Sequence, residues 1–229
     1  MFIGHGRIVE TPGPAIGVVI TLEEALRSVA ADVLALHAGG VGRVLIGVSG
    51  PPGAGKSTFA ELLATRLPAA YVPMDGFHLS NAQLERLGRR ARKGAVDTFD
   101  VDGYVALLER IADGRVDVYV PGFDRTLEEP VAAAHVVPVS ARAAVTEGNY
   151  LGLATPGWDA VRPLLHRLYY VDCPAPLRRD RLVARHIAGG RSRTAAQEWV
   201  EQVDEPNAAL IATTRAVCDR VFDIAGSTP

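Results

Sequence analysis

The residues best suited to chemistry in this chain form one short run, Gly50-Pro-Pro-Gly-Ala-Gly-Lys56-Ser57. It matches G-x-x-x-x-G-K-[ST], a loop that holds phosphate. Gly53 and Gly55 can take backbone dihedrals that other residues avoid, so successive N–H groups can turn inward onto an anion. A helix starting near Lys56 would add the positive end of its dipole. In this pattern the lysine, here Lys56, reaches the outer phosphates, and the hydroxyl of Ser57 coordinates Mg²⁺. Gly50, Gly53, Ala54, Gly55, Lys56, Ser57 and Thr58 are therefore the expected phosphate-loop residues. Lys56 and Lys93 are the only lysines among 24 basic residues. In so arginine-rich a chain, a compact ammonium stands where a phosphate contact is wanted.

Two acids fall at the ends of apolar runs. Asp75 lies in VPMDGFHLS, where it either orients an attacking hydroxyl and accepts its proton or simply forms a turn before Gly76. His78 follows three residues on and either touches substrate or is structural. Glu147 ends AAVTEGNY, where it either serves a Mg²⁺ ion or is a buried acid paired with an arginine. The stretch RRARKGAVDTFD brings Arg90, Arg92 and Lys93 beside Asp97 and Asp100, and GFDRTLEEP brings Asp124, Arg125 and Glu128. Each stretch is either the frame of a polar substrate or a solvated loop. Arg178, Arg181 and Arg185 share one helical face and repel one another unless an anion sits among them. With Gly189-Gly190 as a hinge, residues 178–193 read as a lid, or else as an exposed basic face.

The elements that must position these groups alternate. Thr21 with Glu24 is a capping-box signature opening a helix. VLIGVSG is a short buried strand, Lys56–Leu67 a helix, and AAYVPM a strand ending at Asp75. An irregular excursion follows over 76–100, then a helix stopped by Gly114. VDVYVPGF and AHVVPV pair as a hairpin, and ARAAVTEGNY and HRLYYVDCP hold further strands. Helices over about 176–190, 194–203 and 206–216 precede a last strand in VCDRVFDI. Strands alternating with helices predict an α/β fold, a mainly parallel sheet with helices on both faces. Ligands bind such sheets beyond the carboxyl ends of the strands, where the loop, Asp75 and Glu147 all fall.

Composition narrows the function classes. The chain has 229 residues, 48% of them hydrophobic and 22% charged, as in an ordinary globular protein. A net charge of −2 supplies no basic field, so neither nucleic acid nor a membrane is an expected partner. Two cysteines outside any metal-binding spacing suit buried thiols in a reducing compartment. The N-terminus lacks a basic stretch before an apolar core, so a cytoplasmic location is expected. Residues 1–20, rich in Gly and Pro, read as a flexible arm, and 21–229 as a single domain.

The stretches SGPPGAGKST, VPMDGFHLS, RKGAVDTFD, VPGFDRTLEEP, VTEGNYL and RLVARHIAGGRS, followed by WVEQVDEPNAALI, cover residues 44–215. Together they resemble the phosphoribulokinase/uridine kinase branch of the P-loop kinases, which also holds type I pantothenate kinase. The chain is most similar to the bacterial nucleoside kinase-like, or fructose-transport-system kinase-like, group. The resemblance implies a three-layer P-loop NTPase fold with a small lid and a substrate-side excursion, using ATP and Mg²⁺. It implies Asp75 as the base or hydroxyl-orienting residue, Glu147 near Mg²⁺, and Arg181 and Arg185 on a lid over the phosphates. His78, Arg92, Asp97 and Asp124 would lie on the substrate side. Relatives of this fold are often dimers, which makes a homodimer the expectation. Uridine kinases differ after the strand-end Asp, and pantothenate kinases differ around VPGFDR.

The expected activity is transfer of the γ-phosphate of ATP to a hydroxyl of a small polar metabolite: a sugar, a nucleoside or a pantothenate-like acid. One alternative is a regulatory ATPase without an acceptor; the chain has no N/T-K-x-D guanine motif. Another is a nucleoside monophosphate kinase, for which Arg90 and Arg92 would grip a second phosphate.

Overall fold

The computed structural model describes residues 18–224. Thr21 caps the first helix, α1 (Leu22–Ala38), through the reciprocal bonds of a capping box: the Glu24 amide donates to Thr21 Oγ1 at 3.2 Å and the Thr21 amide to Glu24 Oε2 at 2.8 Å. Then come β2 (Val44–Ser49), α2 (Lys56–Arg66) and β3 (Ala70–Pro73). The excursion carries α3 (Asn81–Arg86), and α4 (Val101–Asp113) follows, stopped by Gly114 in the left-handed region. A hairpin, β4 (Val118–Asp124) and β5 (Glu129–Val137), leads to β6 (Ala143–Glu147), β7 (Arg167–Asp172) and α5 (Ala175–Ala188). The chain ends with α6 (Arg193–Trp199), α7 (Glu205–Ala212) and β8 (Arg220–Asp223).

A short strand, β1 (Val18–Val19), pairs with β8 at the sheet edge. Two residues of the arm assigned to 1–20 therefore belong to the sheet, because β8 offers an open row of backbone donors and acceptors. Residues 1–17 of that arm lie outside the described residues.

The main sheet runs β1-β8-β7-β2-β6-β3, with every neighbouring pair parallel. Every residue of β2 is buried, as both faces are covered. Alternate residues feed opposite cores: Val44, Ile46 and Val48 pack with α1 and α2, while Leu45 packs with α4, the hairpin and Trp158. The hairpin forms its own two-stranded sheet.

Between α6 and α7 the helix does not break. Residues Val200–Asp204 form a π-helical turn that carries it through to Ala212, in place of two separate helices over 194–203 and 206–216. Pro206 has no N–H to donate, and the widened turn before it absorbs the missing bond. Both cysteines are buried free thiols. Among the described residues no helix is long and apolar enough to cross a membrane.

Candidate active site

Sheet register puts three sequence-distant stretches together. Glu147 pairs with Val48 on one side and with Pro73 on the other. Two residues beyond Val48 the chain enters the phosphate loop, and two residues beyond Pro73 it reaches Asp75. Glu147 thus sits between loop and Asp75, and all three border one cleft of about 930 Å³ at the carboxyl ends of the strands.

The loop has the form expected of it. Gly53 and Gly55 lie at φ of +77° and +95°. Gly55 caps α2 without a side-chain bond, which leaves the first amides of the helix to a ligand. Gly53, Gly55, Lys56, Ser57 and Thr58 line the cleft. Gly50 and Ala54 do not: Gly50 presses against the Val171 carbonyl, and Ala54 is buried in the core. They shape the loop from beneath.

Lys56 is 8% exposed and donates from Nζ to the Pro51 carbonyl at 3.1 Å. Burial pushes its pKa down to about 8, against the pull of Glu147 and Asp75. Glu147 moves the other way. Burial and then the charge of Asp75 push its carboxyl up to about 7, opposed by Lys56 and by hydrogen bonds from Tyr71 and Ser57. The Tyr71 hydroxyl donates to Glu147 Oε1 at 3.1 Å.

Asp75 rides on a short 3₁₀ turn, Met74–Phe77. Burial alone would raise its carboxyl, but His78, Arg125, Lys56 and Arg185 outweigh that and hold it below the usual range. Arg125 Nη2 lies 3.3 Å from Asp75 Oδ2. Gly76 makes this contact possible. A Cβ there would stand 2.2 Å from the Pro121 carbonyl, so only glycine lets the hairpin backbone close onto the turn. His78 donates from Nδ1 to the Asp75 carbonyl at 2.8 Å, leaving Nε2 as an acceptor. Its ring packs between Phe99 and Phe123, with centroids at 4.0 and 4.8 Å. Burial, outweighing Asp75, holds the His78 pKa below its ordinary value.

Several expected substrate residues are spent elsewhere. Arg92 and Asp97 pair with each other in a two-pronged contact, both bonds 2.5 Å, and neither lines the cleft. Asp124 accepts the amides of Thr126 and Leu127 at 2.7 and 3.0 Å, holding the hairpin turn. The cleft is lined instead by their sequence neighbours Arg90, Lys93 and Arg125. The signal was in the sequence: an Asp at the head of a tight turn saturates on its own backbone, which leaves the next residue free to reach out.

The lid also differs from expectation. Arg178 is buried, donating to the Pro52 carbonyl at 3.2 Å and to Glu205 at 3.1 Å. Arg181 donates to the Gly53 carbonyl at 3.4 Å and contacts Cys173 Sγ at 3.6 Å, and it does not line the cleft. A loop that turns amides toward an anion turns carbonyls outward, and these two arginines satisfy them from outside. Their mutual repulsion is relieved by protein oxygens rather than by a ligand. Of the three, only Arg185 lines the cleft, followed by the 188–191 turn. The cleft-facing lid is therefore shorter than 178–193.

Sequence reasoning missed the contribution of the π turn and α7. Asp204 and Asn207 line the cleft; His186 Nε2 lies 2.8 Å from Asp204 Oδ2. Asn207 Nδ2 and the Tyr150 hydroxyl both donate to the Gly94 carbonyl, at 3.2 and 2.6 Å, tying the excursion to the lid side. A π turn is a frequent mark of a functional site.

The residues present fit a magnesium ion held through phosphate. Glu147 and Ser57 supply hard oxygen donors beside the loop. Among the described residues no group of three or more His, Cys, Asp or Glu side chains converges to hold a metal by itself, so phosphate oxygens and water would complete the shell.

No protein-family model matches the chain. A protein of Schizosaccharomyces pombe, provisionally named a uridine kinase, is 35% identical over 176 residues, covering 71% of this chain and 74% of its own. A crystal structure of a provisionally named fructose transport system kinase from a Silicibacter species matches with 35% identity and a TM-score of 0.79, covering 88% of this chain and 98% of that one. YFH7 of Saccharomyces cerevisiae, provisionally named a P-loop kinase and carrying a circular permutation, shares the fold at a TM-score of 0.77 and 18% identity, covering 89% of this chain and 99% of that one. With the phosphate loop built as a strand-to-helix turn, and with relatives of this identity and coverage, the chain belongs to the P-loop kinases of the phosphoribulokinase/uridine kinase family.

Proposed function

We propose that this P-loop kinase transfers the γ-phosphate of ATP, with Mg²⁺, to a hydroxyl group of a small polar metabolite. The observation that carries the reading is the placing of Asp75 on one cleft with Lys56, Ser57 and Glu147, with its charged form favoured by four surrounding cationic or imidazole groups. A carboxylate kept ionised beside a phosphate loop is suited to accept a hydrogen bond from an alcohol and orient it, taking its proton as the bond to phosphorus forms.

Each side chain then has a task. Lys56 and the loop amides hold the triphosphate. Ser57 and Glu147 hold the metal, which when bound offsets the charge of the phosphate oxygens. Asp75 orients the acceptor. The hydroxyl oxygen forms its bond to the γ-phosphorus, the bond from that phosphorus to the β–γ bridging oxygen breaks, ADP leaves, and the hydroxyl proton passes to Asp75. Arg185 meets the charge on the transferred group, and Arg125 keeps Asp75 in place. His78, with Phe99 and Phe123, borders the acceptor.

The test is ADP release with Mg·ATP across free sugars, nucleosides, hydroxy acids and nucleoside monophosphates, with Lys56→Ala as control. ADP that appears only with a hydroxyl acceptor and is lost in the control is the expected result. A steady acceptor-independent rate, also lost in the control, points to a regulatory ATPase. A response to monophosphates alone makes the attacked group a phosphate.

A further inference from the structure

The cleft holds more positive charge than a carboxylate-lined sugar site needs. Six lysine and arginine side chains line it against four carboxylates. Most of the cations are already engaged. Arg125 faces Asp75. Lys93, buried, donates to Asn81 Oδ1 at 2.8 Å and to the Glu128 carbonyl, and lies 3.8 Å from Glu129. Arg191 stacks over the Trp199 ring at 3.9 Å. Lys56 belongs to the phosphate loop.

Two guanidiniums remain. Among the described residues, Arg90 and Arg185 have no side-chain hydrogen bond or ion pair, yet both line the cleft. Arg185 stands on α5, one turn beyond the residues that brace the phosphate loop, so the transferred phosphate accounts for it. Arg90 is on the other side. It sits in the excursion, three residues before Lys93, and its charge helps to lower the Lys93 pKa, behind burial and against Glu129. Lys93 in turn lies over the Phe123 ring at 5.1 Å, and Phe123 packs on His78. Arg90 therefore belongs to the acceptor end. A half-buried guanidinium beside a second cation, with no carboxylate in ion-pair contact and only Glu128 as an unpaired acid on the same cleft, is complete when the ligand brings negative charge.

We infer that the phosphate acceptor is itself an anion: a hydroxyl compound whose carboxylate or phosphate group seats on Arg90, rather than a neutral sugar or nucleoside. This rests on the kinase reading above and narrows its substrate. His78 and Phe123 then border the carbon skeleton between the anionic group and the hydroxyl at Asp75. Arg92, two residues from Arg90, serves as the internal contrast, because its guanidinium is already taken by Asp97.

The experiment separates a bacterial small-molecule extract on a strong anion exchanger into retained and unretained fractions. Each is offered with Mg·ATP to the full chain, and ADP is measured. Matched probes follow: glycerate and ribose 5-phosphate against glycerol and ribose, which distinguish a carboxylate from a phosphate. The expected result is ADP with the retained fraction, absent in Lys56→Ala. Arg90→Gln should then raise the KM for that fraction roughly ten- to hundredfold, leave the KM for ATP unchanged, and be partly rescued by Arg90→Lys, while Arg92→Gln has no such effect. ADP with the unretained fraction only, or an unchanged acceptor KM in Arg90→Gln, overturns the inference and leaves the kinase reading standing. ADP with neither fraction, or at an acceptor-independent rate, overturns the kinase reading and this inference with it.

Discussion

The Tyr71 hydroxyl donates to Glu147 Oε1 at 3.1 Å, across the junction of β3 and β6. The bond favours the ionised carboxylate in a place where burial disfavours it. A group that steadies a metal-side carboxylate in this way is worth roughly ten- to hundredfold in metal affinity. Tyr71→Phe should raise the Mg²⁺ concentration for half-maximal rate by about tenfold or more, with the KM for the acceptor little changed. A Mg²⁺ titration at saturating ATP reads this. An unchanged midpoint would detach Tyr71 from the metal.

Asp75→Asn keeps the shape of the turn and removes the proton acceptor. The turnover number should fall by about 10² to 10⁴, while nucleotide binding, followed by calorimetry, stays near the parent value. Near-normal turnover would strip Asp75 of its assigned role.

The pH dependence has two opposed limbs. Glu147 titrates near 7 in the folded protein against an ordinary 4.5, so between those values the folded state binds more protons than the unfolded chain. Its contribution to stability is full below pH 4.5 and is lost as pH rises through about 7. Lys56 titrates near 8 against 10.5, so there the unfolded chain binds more protons and stability recovers as pH rises from 8 to 10.5. Denaturant unfolding without nucleotide should therefore show a minimum between pH 7 and 8, shallower on its acid side in Glu147→Gln. Activity runs the opposite way. The free protein needs Glu147 ionised and Lys56 charged together, so kcat/KM for ATP should peak in that same interval.

Arg92 and Arg125 make opposite predictions. The Arg92–Asp97 pair is about half exposed, and losing it should cost no more than about 1 kcal/mol and leave the kinetic constants within about threefold. Arg125 touches Asp75, and Arg125→Ala should lower kcat/KM for the acceptor at least about tenfold. Steady-state kinetics of the two variants side by side would reverse these assignments if Arg92→Ala proved the more damaging.

Gly50 carries the chain out of β2 at φ +148°, and a Cβ there would lie 2.2 Å from the Val171 carbonyl. Gly50→Ala should destabilise the fold by about 1–3 kcal/mol or more and weaken nucleotide binding, although Gly50 does not line the cleft. Thermal melts with and without ATP separate the two effects.

Local chemistry made much of this protein legible from its residues alone. The capping box at Thr21, the Gly114 stop and the phosphate loop each depend on a few neighbouring residues, so the amino-acid order suffices to place them. The alternation of apolar strands with helices was enough to name a parallel α/β sheet, and the strand-end positions of Asp75 and Glu147 marked the face where the cleft lies. Which charges reach that cleft was a different matter. Arg90 and Arg92 are alike in sequence, as are Arg181 and Arg185, and only the fold shows that Asp97 and the loop carbonyls take one member of each pair. Asp124 looked like a ligand and is a turn, while Arg125 was drawn to Asp75 through the missing Cβ of Gly76. A side chain's nearest partner is set by residues far away along the chain. Sequence can say which groups are able to do chemistry, and tertiary packing decides which of them are left free to do it.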